Sequence, residues 1–373
     1  MKRFAALLCA ILFACVQSAG ASEGFAVAAK GAVLIEGASG RVLYAQNADE
    51  AYPMASTTKL MTCLLALENC SLDEPVTAGK NAAGVPGTSI YLSEGETMTL
   101  EQMLYGLMLR SGNDAAVAIA EHVAGDVERF AARMNARAAE LDANAHYVNP
   151  HGLDADGHQA SALGLARIMR ECLRHEEFRA ITGTQRKIIP WVGNEYSRVL
   201  ENKNRLLRTY AGATGGKTGY TGKAGRCLVF SAERDGMELI GAVLNCPTWF
   251  DTAAALLDYG FENYHLETPL RAGQTAVEAP VAGGERDTVT AVAGGELAAP
   301  VRTGEHYAVR YDFGEGVRAP VARGQTLGRA VLAVNGETVA ECPLLAAEAV
   351  GEFSLLNALR EAVRRWALRF AEV

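Results

Sequence analysis

Residues 53 to 62 read PMASTTKLMT and set Ser56 three places ahead of Lys59, where a run of helix-period apolar residues begins. If Ser56 opens that helix, the lysine falls about one turn later on the same face, within reach of the hydroxyl. A serine hydroxyl is a poor nucleophile until a base takes its proton. A lysine can be that base only where its surroundings hold its pKa far below the free value of about 10.4. The helix N-terminus adds a positive end that favours a developing oxyanion. The plainer reading of the same ten residues is a helix cap followed by a solvated amine, and the spacing alone does not choose between the two.

Outward from this stretch, the first part of the chain alternates strands and helices. GFAVAAKGAVLIEGASGRVLYAQNADEAY alternates apolar and polar residues around Gly37-Ala38-Ser39-Gly40, as a hairpin does. Helical periods then cover Lys59 to Asn69, Leu100 to Leu109, Asp114 to Val123 and Val127 to Leu141. Strand character returns in GKTGYTGKAGRCLVFSAERDG and MELIGAVLNCP, with Asp235-Gly236 as the turn, and Thr252 to Tyr259 forms a closing helix. The expected fold class is α+β, an antiparallel sheet with helices against it. From residue 266 to 346 the chain is rich in Gly, Val, Ala and Thr without a helical period, and Asn335-Gly336 separates two alternating runs. This predicts a small all-β domain. Phe353, Leu356, Leu359, Val363, Trp366 and Phe370 then recur at threes and fours, with Arg360, Arg364, Arg365 and Arg369 mainly on the other face. Such a helix lies on a membrane surface; its four arginines exclude a span. A terminal helix packed on the β-domain is the alternative.

Residues 1 to 21 have a basic start (Lys2, Arg3), a short apolar stretch and Ala19-Gly20-Ala21, the pattern of an export signal. Cys15 follows Leu12-Phe13-Ala14, but bulky Phe13 suits lipid attachment poorly. The expected organisation is therefore 1–21 signal, 22–264 first domain, 265–348 β-domain and 349–373 amphipathic helix. The expected location is outside the cytoplasm. With 373 residues, 49% of them hydrophobic, the chain can bury a large core. Its formal net charge of -8, without a long basic run, argues against a nucleic-acid partner. Six cysteines lie beyond the signal, none in a C-x-x-C pair, and buried free thiols are the expected state. Neither metal nor cofactor is expected. NPHGLDADGH has two histidines and two aspartates, yet lacks the spacing of a calcium loop or a helical zinc pair and reads as a structural turn. His122, His146, His175, His265 and His306 are scattered and suggest no site.

Two further triplets raise the weight of the first. Ser111-Gly112-Asn113 stands at a break between two apolar helices, and Lys217-Thr218-Gly219 on a glycine-rich strand along which a substrate backbone can lie. In this order, Ser-x-x-Lys, Ser-x-Asn and Lys-Thr-Gly match the set shared by class A β-lactamases and penicillin-binding proteins. With SGRVLYAQNADEAYPMASTTKLMT, GTSIYLSEGETMTLEQMLYGLMLRSGNDAA, NPHGLDADGH and GGKTGYTGKAGRCLV, the chain resembles the D-alanyl-D-alanine carboxypeptidases, the low-molecular-mass penicillin-binding proteins. GRAVLAVNGETVAECPLLA is similar to the closing strands of that family's second domain.

The resemblance implies a β-lactamase/transpeptidase-like first domain and a serine-type D-Ala-D-Ala carboxypeptidase acting on peptidoglycan stem peptides, with β-lactam antibiotics as inhibitors. It implies that Ser56 attacks the carbonyl between two D-alanines, that Lys59 takes its proton and that Ser111 relays a proton to the departing amine. Ser56 and Tyr220 offer backbone N–H groups to the oxyanion, and Asn113 holds the substrate amide. Lys217 and Thr218 receive the terminal carboxylate, and Lys217 keeps the site positive so that Lys59 stays neutral. One departure stands out: NCPTWFDTAA lacks the basic residue that several relatives place near the carboxylate. A β-lactamase is the alternative enzyme, but Glu201 and Asn204 lie just ahead of Lys217 instead of midway from Ser111 and read as a polar turn. A non-catalytic wall-binding scaffold is the alternative outside enzymes, and it leaves the serines and lysines unexplained.

Overall fold

The computed structural model describes residues 25–191 and 193–355, with 359 and 363. The expected export signal at 1–21 and most of the expected terminal helix lie outside the described residues.

The organising element is a five-stranded antiparallel sheet. Its order is Ala213–Thr221, Gly225–Arg234, Met237–Leu244, Gly31–Glu36 and Val42–Gln46, so strands about 200 residues apart in sequence meet at Gly31↔Leu244. Alternation puts successive residues on opposite faces. Val33, Ile35, Val229, Ile240 and Ala242 join the helical core, whereas Ala32, Leu34, Leu228, Phe230 and Leu239 join a second core under the helix Trp249–Asn263. Both faces are covered, which explains why Gly31–Glu36 is buried at every position. The hairpin turn after it is held by its own chemistry: Glu36 accepts from the N–H groups of Ala38 and Ser39 at 2.8 and 2.7 Å.

The helices Lys59–Asn69, Asn113–Ala124 and Val127–Glu140 fall where the periodicity puts them, to within a residue of their ends. Leu100 to Leu109 does not stay α-helical. The α-helix ends at Tyr105 and a wider π turn, Gly106–Arg110, delivers the chain to Ser111 in the left-handed region at φ 64°. Such π turns recur at functional sites because they shift the register of the side chains that follow. The closing helix is longer than expected, and Ala162–Cys172 and Glu176–Gly183 are two further helices. The first of these starts at Ser161, whose hydroxyl accepts from Gly164 N–H, an N-cap.

Beyond the closing helix the chain is all β to Ala346. Tyr264–Leu270 pairs with Leu297–Arg302, and a six-stranded sheet runs Tyr307–Asp312, Thr326–Val334, Glu337–Ala346, Thr288–Ala293, Thr275–Ala282 and Val317–Arg318. Asn335-Gly336 makes its tight hairpin with both residues at positive φ, 50° and 90°. This part has its own core around Ala279, Val289, Leu297, Leu332 and Leu344. Arg41, on the hairpin of the first sheet, reaches Glu305 at 2.7 Å and so ties the two parts.

Candidate active site

Ser56 sits in a single 3-10 turn, Ala55–Thr58, that runs straight into the helix opened by Lys59. Two threonine hydroxyls fix the turn: Thr57 donates to Met54 O at 2.6 Å and Thr58 to Ala55 O at 2.8 Å. Each hydroxyl donates to the carbonyl three residues back, a local side-chain-to-backbone bond that pins the turn. His158 Nε2 reaches the same Thr58 hydroxyl at 2.8 Å, while its Nδ1 accepts from Val148 N–H at 3.0 Å. Burial holds that imidazole neutral, its pKa lowered to about 4.

Backbone presses on the turn from two sides. Gly152 stands at φ +90°, and a Cβ there would lie 2.0 Å from Ala55 O and 2.9 Å from Ser56 N. Gly219, on the strand Ala213–Thr221, would put a Cβ 2.9 Å from Ser56 N. Only glycine allows either approach. NPHGLDADGH is therefore a structural turn whose place is against the serine; His151 also supplies a carbonyl to the site.

Lys59 is fully buried, and its Nζ lies 3.0 Å from Ser56 Oγ and 2.8 Å from Asn113 Oδ1, with the His151 carbonyl as third partner. Burial first, then the charges of Lys217 and Lys203, push its pKa well below the ordinary value; Asp114 opposes them. A neutral amine has two N–H groups and one lone pair. Asn113 and His151 can take the former, which aims the latter at the Ser56 hydroxyl. The Asn113 Nδ2 donates to Pro86 O at 2.7 Å and has a second N–H left to offer.

Across the cleft, Lys217 Nζ donates to Ser111 Oγ at 3.0 Å and to Thr218 O at 2.8 Å. Burial and the Lys203 charge lower its pKa to about 7. Ser56, Ser111, Asn113, Thr218 and Tyr220 all line one cleft of about 350 Å³. Lys59 and Lys217 stand behind its wall at 0% and 1% exposure, each on the serine it contacts. All seven residues singled out in the sequence thus converge.

The cleft also holds residues the sequence reading passed over. Lys203 lines it, its own pKa lowered by burial and by Arg110. The loop that carries Lys203 is set by its neighbours: Asn202 Nδ2 donates to Thr182 O and Thr184 O, and Asn204 Nδ2 to Gly215 O on the Lys217 strand. Two buried asparagines flanking a lysine were the available signal. Trp249 lines the cleft from the segment that lacks a basic residue. Arg226, paired with Tyr220 on the next strand, stacks 6.0 Å over the Trp249 ring and donates to Pro247 O, so a guanidinium reaches this segment from another strand. A larger cavity of about 840 Å³ elsewhere contains no such chemistry; its charges, such as Arg179 with Glu238 and Arg167 with Asp142, pair among themselves.

The sequence pattern described as D-alanyl-D-alanine carboxypeptidase matches residues 16–248, and that of the C-terminal domain of penicillin-binding protein 5 matches residues 264–352. The chain belongs to the D-alanyl-D-alanine carboxypeptidase family. It is a serine-type hydrolase of the low-molecular-mass penicillin-binding type. It is 34% identical to the D-alanyl-D-alanine carboxypeptidase DacF of Bacillus subtilis, with 91% of this chain and 90% of that one covered. To DacC of Escherichia coli it is 32% identical, covering 88% and 86%. The crystal structure of penicillin-binding protein 5 from Haemophilus influenzae superposes with a TM-score of 0.75 at 30% identity, over 88% of this chain and 98% of that one.

Proposed function

We propose that this carboxypeptidase removes the terminal D-alanine from peptidoglycan stem peptides through an acyl-enzyme on Ser56. The observation that carries the reading is a buried, pKa-depressed Lys59 amine 3.0 Å from an accessible serine hydroxyl. Ser56 Oγ attacks the penultimate D-alanine carbonyl while Lys59 takes its proton. The N–H groups of Ser56 and Tyr220 hold the oxyanion. Collapse breaks the peptide bond, and Ser111, backed by Lys217, passes a proton to the leaving amine. Lys217 and Thr218 hold the substrate carboxylate, and Asn113 its amide. Water then cleaves the Ser56 ester. A β-lactam opens in the same way, but its leaving nitrogen stays tethered and blocks water, so it inhibits.

The peptidase spans 22–264 in this reading, and the protein is exported and held at the outer face of the cytoplasmic membrane by 353–370. The exposure of Phe353, Leu359 and Val363, 59 to 65%, supports a surface-seeking face over one packed on the β-domain. No helix among the described residues is long and apolar enough to cross a membrane. A β-lactamase reading finds no support at Glu201, which is exposed and does not line the cleft. Incubation with a fluorescent penicillin and, separately, a D-Ala-D-Ala pentapeptide tests the proposal. Long-lived label and D-alanine release support it; rapid loss of label with hydrolysed drug and no D-alanine makes the chain a β-lactamase.

A further inference from the structure

The helix Lys59–Asn69 starts at the cleft and ends at Cys70; the helix Asn113–Ala124 starts at the cleft and carries His122 in its last turn. Cys70 and His122 therefore meet at the end of the helix pair remote from Ser56. Glu74, just ahead of the strand Pro75–Thr77, turns toward both. Its Oε2 lies 3.3 Å from His122 Nε2, and one ligand atom from each of Cys70, Glu74 and His122 falls within 4.8 Å of the other two.

A thiol sulfur, an imidazole nitrogen and a carboxylate oxygen form a donor set suited to zinc and unsuited to calcium or magnesium, which take oxygen. Tetrahedral zinc with bonds of about 2.0 Å to nitrogen and oxygen and about 2.3 Å to sulfur spaces its ligand atoms about 3.3 to 3.6 Å apart. The Glu74–His122 pair already has that spacing, and the sulfur, within 4.8 Å of both partners, stands at most about 1.3 Å beyond it. Cys70 is extended, at φ -139° and ψ 153°, one residue past the helix, so its side chain can turn without breaking helical hydrogen bonds. Thiolate and carboxylate together would neutralise the dication.

We propose that Cys70, Glu74 and His122 form a zinc-binding site, with its fourth position open to water, that clamps the remote ends of the two helices bearing Lys59 and Asn113. The same side chains could instead form only a hydrogen-bonded triad in which thiol and imidazole both donate to Glu74.

The test titrates the metal-free full-length protein, reduced with a phosphine, with cobalt(II) and then zinc. One equivalent of cobalt should give a near-ultraviolet thiolate charge-transfer band with four-coordinate visible bands, and zinc should abolish both. Cys70→Ser should lose the charge-transfer band. His122→Ala, a partly exposed position that leaves the core untouched, should weaken binding at least about 100-fold, because replacements merely behind metal ligands already cost about 10- to 100-fold. Zinc should raise the melting temperature of the parent and of neither variant. Penicillin acylation without metal should match the parent in both, as the readout that they fold. Cobalt binding without the sulfur band, or with undiminished affinity in His122→Ala, overturns the proposal in favour of the triad.

Discussion

Replacing Gly152 by alanine tests how closely the chemistry depends on backbone packed against the nucleophile. The added Cβ would meet Ala55 O at 2.0 Å and the Ala55 carbonyl carbon at 2.4 Å, both backbone atoms that no side-chain rotation can clear. Ordinary contact between carbon and oxygen starts at about 3.3 Å, so the turn bearing Ser56 must retreat by about 1.3 Å. A misplacement of about 1 Å costs on the order of 100-fold in rate, or about 2.7 kcal/mol in the barrier. The left-handed conformation at φ +90° adds about 1 to 2 kcal/mol of strain to the folded state. Gly157→Ala is the matched control: the same loop, φ +77°, but a nearest neighbour at an ordinary 3.5 Å, His146 Nδ1. Both variants should lose the strain energy in urea unfolding, and only Gly152→Ala should lose about 100-fold in the second-order rate of penicillin acylation by stopped flow. Equal acylation rates for the two would refute the argument that Gly152 sets the position of Ser56.

Lys203→Met removes a positive charge that lowers the pKa of both Lys59 and Lys217, so both limbs of the pH profile for acylation by an anionic penicillin should move to higher pH. The alkaline limb, where Lys217 loses its proton, should start near 7 in the parent; an unshifted profile would remove Lys203 from the electrostatics of the cleft. Asp114→Asn should destabilise by about 2 to 4 kcal/mol, read from the urea midpoint. The carboxylate accepts from Ser89 Oγ and from the N–H groups of Ile90, Leu92 and Ala115, and an amide N–H₂ would face some of those donors. Truncation before Phe353 should release the protein from anionic vesicles in a sedimentation assay without changing acylation; loss of cooperative melting would mean that the segment belongs to the fold.

The local patterns that decide this architecture were legible because they are short-range. The two-residue turns Asp235-Gly236 and Asn335-Gly336 and the helices Lys59–Asn69 and Val127–Glu140 follow from backbone geometry and periodicity alone. Six of the seven candidate site residues stand in the three motifs, Tyr220 directly follows the last of them, and the fold brings all seven to one cleft and its wall. Lys203 and Trp249 were not, because the cleft is closed by chain segments whose contacts to Lys217 and Tyr220 depend on tertiary packing. Ala162–Cys172 escaped notice although Ser161 is an ordinary cap, and the π turn at Gly106–Arg110 has no sequence pattern of its own. His151 gives Lys59 its carbonyl, while its ring Nδ1 accepts from Leu153 N–H and so holds the turn that the spacing of NPHGLDADGH already indicated.

The central claim is that Lys59 activates Ser56 for acyl transfer, and the most direct measurement is the site and extent of the covalent adduct. Mass spectrometry of the parent, Ser56→Ala and Lys59→Ala proteins after brief exposure to a penicillin, followed by peptide mapping, reads both. The account predicts one adduct per parent chain on the peptide containing Ser56, none on Ser56→Ala, and a trace on a folded Lys59→Ala. A stable single adduct on Ser56→Ala, or full-rate labelling of Lys59→Ala, would contradict it.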